Sequence, residues 1–142
     1  ARPAAWLTLE LQAGEGWRLR VDPQRQPFSA LIGSEAWAAE LTLDELLLFR
    51  EAVIALQQQL DVCTSWLMPE ETLELEHERC GLWMQLSGTA EHWSLRFVLS
   101  PTDVGASARP RGLEAGWDAA ACPALAAALR SLVFPLDMAV PA

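Results

Sequence analysis

The 142-residue sequence contains no lysine, no asparagine and no tyrosine, so all ten of its basic residues are arginine. The codons of the three missing residue types are rich in A and T, and their joint absence therefore indicates a GC-rich genome. The sequence also has no apolar run near the ~20 residues that a membrane-spanning helix needs, so no membrane span is predicted. Its first residues lack the apolar stretch of a signal peptide, and a cytoplasmic location is expected.

Residue types that carry catalysis and metal binding are scarce, with two histidines and three cysteines in all. Neither histidine lies in a nucleophile motif, and the sequence contains no phosphate-binding loop and no GxGxxG motif. A structural zinc site needs four ligands, whereas His77 and Cys80 form an isolated pair that suits a half-buried strand histidine beside a turn. The wide spacing of the cysteines favours no disulfide framework. We therefore expect a non-enzyme with no catalytic residue, no metal site and no cofactor.

The balance of charge is acidic, because 19 Asp and Glu against ten Arg give a net charge of −9. Sequence-independent nucleic-acid binding depends on basic residues that neutralise phosphates, so this charge disfavours it. The hydrophobic fraction of 51% suits one globular domain spanning residues 1–142. Seven tryptophans are a high count for this length. The direction in which each one points decides whether it belongs to the core or to an exposed surface.

The first patterned stretch alternates apolar and polar residues on both sides of residues 14–16, Gly-Glu-Gly. Such alternation is typical of a strand with one buried face, and the glycines favour a three-residue hairpin loop. Pairing that keeps apolar residues together places Leu11 opposite Leu19. The same register sets Glu10 opposite Arg20 on the outer face. The predicted inner residues include Trp17 and Leu19, and the predicted outer ones include Arg18 and Arg20.

A helix is predicted to begin at Thr42, because Thr42 and Glu45 have the spacing of a capping box. Apolar residues then recur every three or four positions for about six turns, until Pro69 ends the pattern. Two short strands are expected before the helix, around residues 28–33 and 36–41. The predicted buried stripe consists of Leu46, Phe49, Val53, Leu56, Leu60, Cys63 and Leu67. Off that stripe lie Leu47, Leu48 and Ile54, for burial against a second helix or for contact with a partner.

Residues 71–100 return to a period of two, which predicts three further strands. Residues 80–81, Cys-Gly, suit a two-residue turn. Cross-strand pairing then places Glu78 beside Trp83 across the first hairpin. In the second hairpin it places Arg96 directly opposite Trp83, so that the three side chains share the outer face.

Five acids lie between Glu70 and Glu78, and their alternation with leucine indicates a solvated strand face rather than a catalytic pair. Residues 101–112 have the composition of a loop. A last short strand is expected to hold Trp117, and Pro123 is expected to open a second helix that ends near Pro135.

The two halves of the sequence have similar features. Residues 33–37 echo residues 112–117, and residues 17–20 echo residues 93–96. We therefore predict an α+β fold made of two ββββα units, in which antiparallel sheets pack on two helices. The predicted units span about residues 5–68 and 70–134, with a C-terminal tail at 135–142.

Five short motifs in this order resemble a cyanobacterial family, domain of unknown function 1818, over roughly residues 7–134. They are residues 14–19 (Gly-Glu-Gly-Trp-Arg-Leu), 31–37 (Leu-Ile-Gly-Ser-Glu-Ala-Trp), 40–42 (Glu-Leu-Thr), 82–84 (Leu-Trp-Met) and 94–97 (Ser-Leu-Arg-Phe). The resemblance implies a fold of the Whirly and single-stranded-DNA-binding transcriptional regulator type, formed as a single-chain pseudo-dimer. It assigns no activity.

Two functions stay open from the sequence. The first is a non-catalytic protein-interaction domain, an accessory or assembly factor with an unidentified protein partner, since tryptophan and arginine are common interface anchors. The second is single-stranded nucleic-acid binding of the Whirly-like type, which the acidic strand face disfavours. Because a pseudo-dimer of this kind has both units in one chain, the protein is expected to be a monomer. The candidate binding residues for either function are Trp83, Arg96, Arg18, Arg20 and Glu78.

Overall fold

A computed structural model describes residues 10–101 and 111–132. The start of the first predicted strand, most of the predicted loop 101–112, the last turn of the predicted second helix and the tail 135–142 lie outside these residues. The strands are β1 (Glu10–Gly14), β2 (Trp17–Val21), β3 (Ala30–Gly33), β4 (Ala38–Leu41), β5 (Leu73–Arg79), β6 (Leu82–Gly88), β7 (Trp93–Leu99) and β8 (Leu113–Trp117). The helices are α1 (Leu43–Thr64) and α2 (Cys122–Ser131).

The strands form two antiparallel four-stranded sheets, ordered β1-β2-β3-β4 and β5-β6-β7-β8, and each sheet is followed by a helix. This confirms the predicted α+β class and the duplicated ββββα units. Each helix packs on the sheet of the other unit. Helix α1 packs mainly on β5 and β6, whereas α2 packs mainly on β1 and β2. Each unit therefore covers the apolar face of the other unit's sheet. No helix among the described residues combines the length and apolar character needed to cross a membrane.

The sequence echoes that suggested the duplication fall on elements that are not equivalent. Residues 17–20 lie in β2, the second strand of its unit, while residues 93–96 lie in β7, the third strand. Trp37 precedes the fourth strand of the first unit, and Trp117 ends the fourth strand of the second. The topology, and not these short matches, establishes the repeat.

The predicted register of the first hairpin is wrong by one residue. Gln12 pairs with Leu19, and Leu11 pairs with Arg20. The cause is a two-residue turn that places Gly14 in the sheet opposite Trp17, where the indole covers it and a Cβ would lie 2.4 Å from Nε1. The alternation within β2 is independent of this shift, so Trp17 and Leu19 are buried as predicted. Arg18 is exposed, whereas Arg20 is half-buried.

The strands of the second sheet confirm one predicted register and correct another. Glu78 pairs with Trp83 as expected, across a two-residue turn whose φ angles, 53° and 86°, are both positive. In the next hairpin Arg96 pairs with Gln85, and Trp83 pairs with Val98, so the prediction is wrong by two residues. The loop has four residues, closed by a hydrogen bond from the Thr89 N–H to the His92 carbonyl (3.0 Å). A shift of two keeps every side chain on its predicted face.

Helix α1 begins as predicted and ends earlier. The Glu45 N–H donates to Thr42 Oγ1 (3.1 Å), and the Thr42 N–H donates to Glu45 Oε1 (3.0 Å), which completes the capping box. The helix ends at Thr64, because the next N–H groups turn back to carbonyls two or three residues earlier. The predicted stripe is therefore buried from Leu46 to Leu60, while Cys63 is half-buried and Leu67 lies beyond the helix. Pro123 lies in the first turn of α2, as predicted.

An aromatic cluster joins the two units in the core. The ring centroids of Trp37 and Trp117 are 5.2 Å apart, and Phe97 stacks on Trp117 at 5.5 Å. The indole N–H of Trp37 donates to the Gly116 carbonyl (3.1 Å), and that of Trp117 donates to the Gly33 carbonyl (2.9 Å). Since each indole reaches the other sheet, the two hydrogen bonds fix the relative position of the sheets.

Candidate protein-binding surfaces

Three of the five predicted binding residues meet on the outer face of the second sheet. Glu78 lies on β5, Trp83 on β6 and Arg96 on β7, with their side chains directed away from the helices. Glu76 joins them from the neighbouring position of β5. We call Glu76, Glu78, Trp83 and Arg96 the outer-face cluster.

The Trp83 side chain is held by its neighbours in this cluster. Its indole N–H donates to Glu76 Oε1 at 3.1 Å. The guanidinium carbon of Arg96 lies 5.0 Å from the centroid of the Trp83 ring, within the range of a cation–π interaction. These contacts hold the Trp83 side chain in one orientation before any partner binds, with the Arg96 guanidinium over its ring.

The charge of the outer face is negative. By strand register, β5 and β8 contribute four carboxylates to this face, whereas one arginine, Arg96, lies among them. The four carboxylates belong to Glu74, Glu76, Glu78 and Glu114. A phosphate backbone approaching this face would meet mainly like charge.

Arg18 and Arg20 lie on the first sheet and not in the outer-face cluster. Arg18 Nε donates to the Ser34 carbonyl (3.1 Å), and its Nη2 donates to the Trp37 carbonyl (3.2 Å). These bonds fasten the turn between β3 and β4, which gives Arg18 a local structural contact. Arg20 is half-buried opposite Leu31. The binding roles of all five residues stay predictions.

The structure shows a second surface that the sequence reasoning missed. Three large apolar side chains beyond the last core turn of α1 are exposed: Val62 by 66%, Trp66 by 84% and Met68 by 61%. We call them the α1-end patch. A sequence signal was present, because Val62 and Trp66 are four residues apart and both lie off the predicted buried stripe.

A shallow groove on α1 adjoins the α1-end patch. It has a volume of about 420 Å³ and is lined by Ala55, Gln58, Gln59, Val62 and Cys63. Since these residues recur at helical spacing, they form one flank of the helix beside the core stripe. Val62 belongs to both the groove and the patch, so the two features are continuous.

A larger cavity lies elsewhere, where the β3–β4 turn meets β8 and the start of α2. Its volume is about 690 Å³, and Trp37 and Trp117 lie in its wall. Its lining includes the acidic residues Glu15, Glu35, Glu114 and Asp118. Among the described residues that line it there is no histidine, cysteine or arginine.

These features define a class of protein: a duplicated ββββα fold whose prominent surface features are apolar and aromatic patches in an acidic setting. Residues 12–132 match the family Domain of unknown function (DUF1818). The chain belongs to this family, which confirms the resemblance seen in the sequence.

A solved structure is similar to the chain in sequence and fold. It is described as a protein with unknown function from the DUF155 family, from Prochlorococcus sp. NATL2A. The chain is 34% identical to it, and the match covers 88% of this chain and 98% of that one with a TM-score of 0.78. The cyanobacterial source of this relative agrees with the sequence resemblance. No curated protein matches the chain.

Proposed function

We propose that the chain is a non-catalytic protein-interaction domain, an accessory or assembly factor of a cyanobacterial cytosol, that binds its partner through the α1-end patch. The observation that supports this proposal is the 84% exposure of Trp66, which lies within four residues in sequence of two further exposed apolar side chains, Val62 and Met68. Contiguous exposed apolar side chains are a mark of interaction sites. Tryptophan is also among the residues that most often dominate binding energy.

The outer-face cluster is the other place where a protein partner could bind. Its Trp83 is half-buried and is held by Glu76 and Arg96. A partner would gain less apolar area there than at Trp66, and it would have to compete with the existing contacts. Substitutions in each of the two surfaces can therefore show which one binds the partner.

The experiment compares capture from a cyanobacterial lysate by the immobilised wild-type chain and by three variants. Trp66→Ser changes the α1-end patch, Trp83→Ala changes the outer-face cluster, and Gln24→Ser is an exposed control on the first unit. We expect one specific band or complex whose recovery falls at least roughly tenfold with Trp66→Ser. Recovery with the other two variants should stay within about twofold, and circular dichroism should show that all four chains are folded.

Other results assign the function differently. A loss with Trp83→Ala and not with Trp66→Ser would move the site to the outer-face cluster while retaining a protein-binding function. Equal capture by all variants would contradict the proposed use of either surface.

Single-stranded nucleic-acid binding is the second candidate, favoured by the contact between the Trp83 indole and the Arg96 guanidinium on an exposed sheet. The four carboxylates of that face oppose it. We therefore predict no saturable binding of a labelled mixed-sequence DNA strand at micromolar protein in about 0.15 M salt, measured by fluorescence anisotropy. Sub-micromolar binding that is lost with Arg18→Ala and Arg96→Ala would reverse this choice.

A further inference from the structure

We infer that the segment that docks on the α1-end patch is basic and amphipathic: a helix of the partner with leucine-like residues on one face and Lys or Arg beside them. This inference rests on the proposed function, because it specifies the partner of the same surface. Three observations carry it, namely the charge around the patch, the length of the groove and the charge repulsion that a second copy of this chain would meet.

The sequence around the patch carries charge of one sign. From Asp61 to Glu78 the sequence contains six carboxylates and no Arg or Lys. Within this stretch Asp61, Glu70 and Glu71 are exposed. Glu71 is fixed close to the patch, because its Oε1 accepts a hydrogen bond from the Met68 N–H at 2.8 Å.

The end of α1 adds to this negative character. The last turn of a helix carries a partial negative charge from its carbonyl groups, which a basic side chain usually offsets. The last turn of α1 contains no basic residue. An approaching Lys or Arg would therefore interact favourably with both the carboxylates and the helix terminus.

The groove is long enough for a docked helix. Its lining extends from Ala55 to Cys63, which corresponds to about 12 Å along α1, or about two turns of a partner helix. Helix-in-groove recognition uses apolar residues three or four positions apart. Such a helix would place apolar residues against Val62 and Trp66 while its flanks face the acids.

The charge also disfavours a second copy of this chain as the occupant. A twofold dimer brings the same patch of each copy together. Asp61, Glu70 and Glu71 of one copy would then face the same residues of the other, and the net charge of each chain is −9. A basic partner removes this repulsion.

The test uses labelled synthetic helices of about 18 residues, long enough to form a helix. One contains leucine and lysine in an amphipathic order, a second replaces lysine by glutamate, and a third has the composition of the first in scrambled order. We expect the amphipathic basic peptide to bind the full chain at least roughly tenfold more tightly than either of the others in anisotropy titrations. Raising the salt from about 0.05 to 0.3 M should weaken its binding severalfold.

Matched variants locate the binding. Trp66→Ser should weaken it roughly tenfold, whereas Trp83→Ala should leave it within about twofold. The double variant Glu70→Gln with Glu71→Gln should weaken it severalfold, because it removes charge beside the patch. Glu15→Gln with Glu35→Gln removes the same net charge at exposed positions of the first unit, and should change the affinity by less than about twofold.

The outcomes separate this inference from the function on which it rests. Failure of the basic peptide to bind, equal binding of the acidic peptide, or indifference to Trp66→Ser would overturn the inference. A dimer in sedimentation experiments at micromolar protein that dissociates with Trp66→Ser would also overturn it, since a second copy would then be the occupant. If the basic peptide fails while capture from lysate still depends on Trp66, the proposed function stands without this partner chemistry.

Discussion

The tryptophans show how one residue type serves different purposes in this protein. Trp17, Trp93 and Trp117 are buried, at 7%, 6% and 4% exposure, whereas Trp66 is 84% exposed and Trp83 is half-buried. The buried three lie on inward-facing positions of strands, where a large apolar area is removed from water. Trp66 follows the end of α1, where nothing among the described residues covers it. Position in an element, and not residue type, decides the role.

Cysteine reactivity gives a test at the same scale. Burial raises the pKa of the Cys122 thiol from 9.0 to about 12, so the thiolate is almost absent at pH 8. Cys80 is exposed in a turn. We expect a thiol reagent at pH 8 to label Cys80 rapidly and to leave Cys122 unmodified until the chain is unfolded with urea, as read by peptide mass spectrometry. Labelling of Cys122 at the rate of Cys80 in the folded chain would show that its burial is wrong.

At the scale of elements, the helix start and the strand alternation follow from local physics. The capping box needs two side chains three residues apart, and both of its hydrogen bonds close within one turn. Glu45 Oε1 also forms an ion pair with Arg111 Nη2 (2.5 Å), which connects the segment before β8 to the start of α1. The carboxylate is 7% exposed, so this contact is better shielded from water than the surface pairs.

Removing the cap should lower stability. Thr42→Ala deletes the acceptor of the Glu45 N–H, and we expect the free energy of unfolding to fall by about 0.5–2 kcal/mol. Thr42→Ser keeps an acceptor and is the matched control. The measurement is urea denaturation followed by circular dichroism. Coincident midpoints for Thr42→Ala and the wild type at equal slope would contradict the role of Thr42.

At the scale of the whole molecule, the two units depend on each other. Helix α1 covers the second sheet and α2 covers the first, and the indoles of Trp37 and Trp117 donate across to the other unit. Neither sheet is covered mainly by the helix that follows it. We therefore expect the two units to unfold together in one cooperative transition.

The Trp117 hydrogen bond tests this connection. Trp117→Phe keeps an aromatic ring but removes the N–H that donates to the Gly33 carbonyl in the core, so we expect a loss of about 1–3 kcal/mol. The bond made by Trp37 is partly exposed to solvent, and Trp37→Phe should cost less. Thermal and urea unfolding of the two variants provide the comparison. An equal or smaller loss with Trp117→Phe would show that the buried bond does not join the units as described.

The candidate site was only partly foreseen. The outer-face cluster was predictable because strand alternation places Glu78, Trp83 and Arg96 on one face, and a register error of two residues does not change faces. The α1-end patch was not predicted, because the apolar pattern continued to Leu67 and the helix was expected to continue with it. Where α1 ends decides that Trp66 is exposed, and that end depends on the turn at Ser65.

The sequence alone determined the features that arise from near neighbours: the class of the fold, the faces of β2 and of β5 to β7, the capped start of α1 and the turn at Cys80 and Gly81. The tertiary structure decided the features that join distant residues. A hairpin register depends on turn geometry. Gly14 therefore pairs with Trp17 in the sheet, whereas the sequence predicted it to lie in the loop. Each helix packs on the sheet of the other unit. The indole hydrogen bonds of Trp37 and Trp117 join residues 79 and 84 positions apart. No periodicity encodes such pairs, because they depend on how two apolar faces fit together once both have formed.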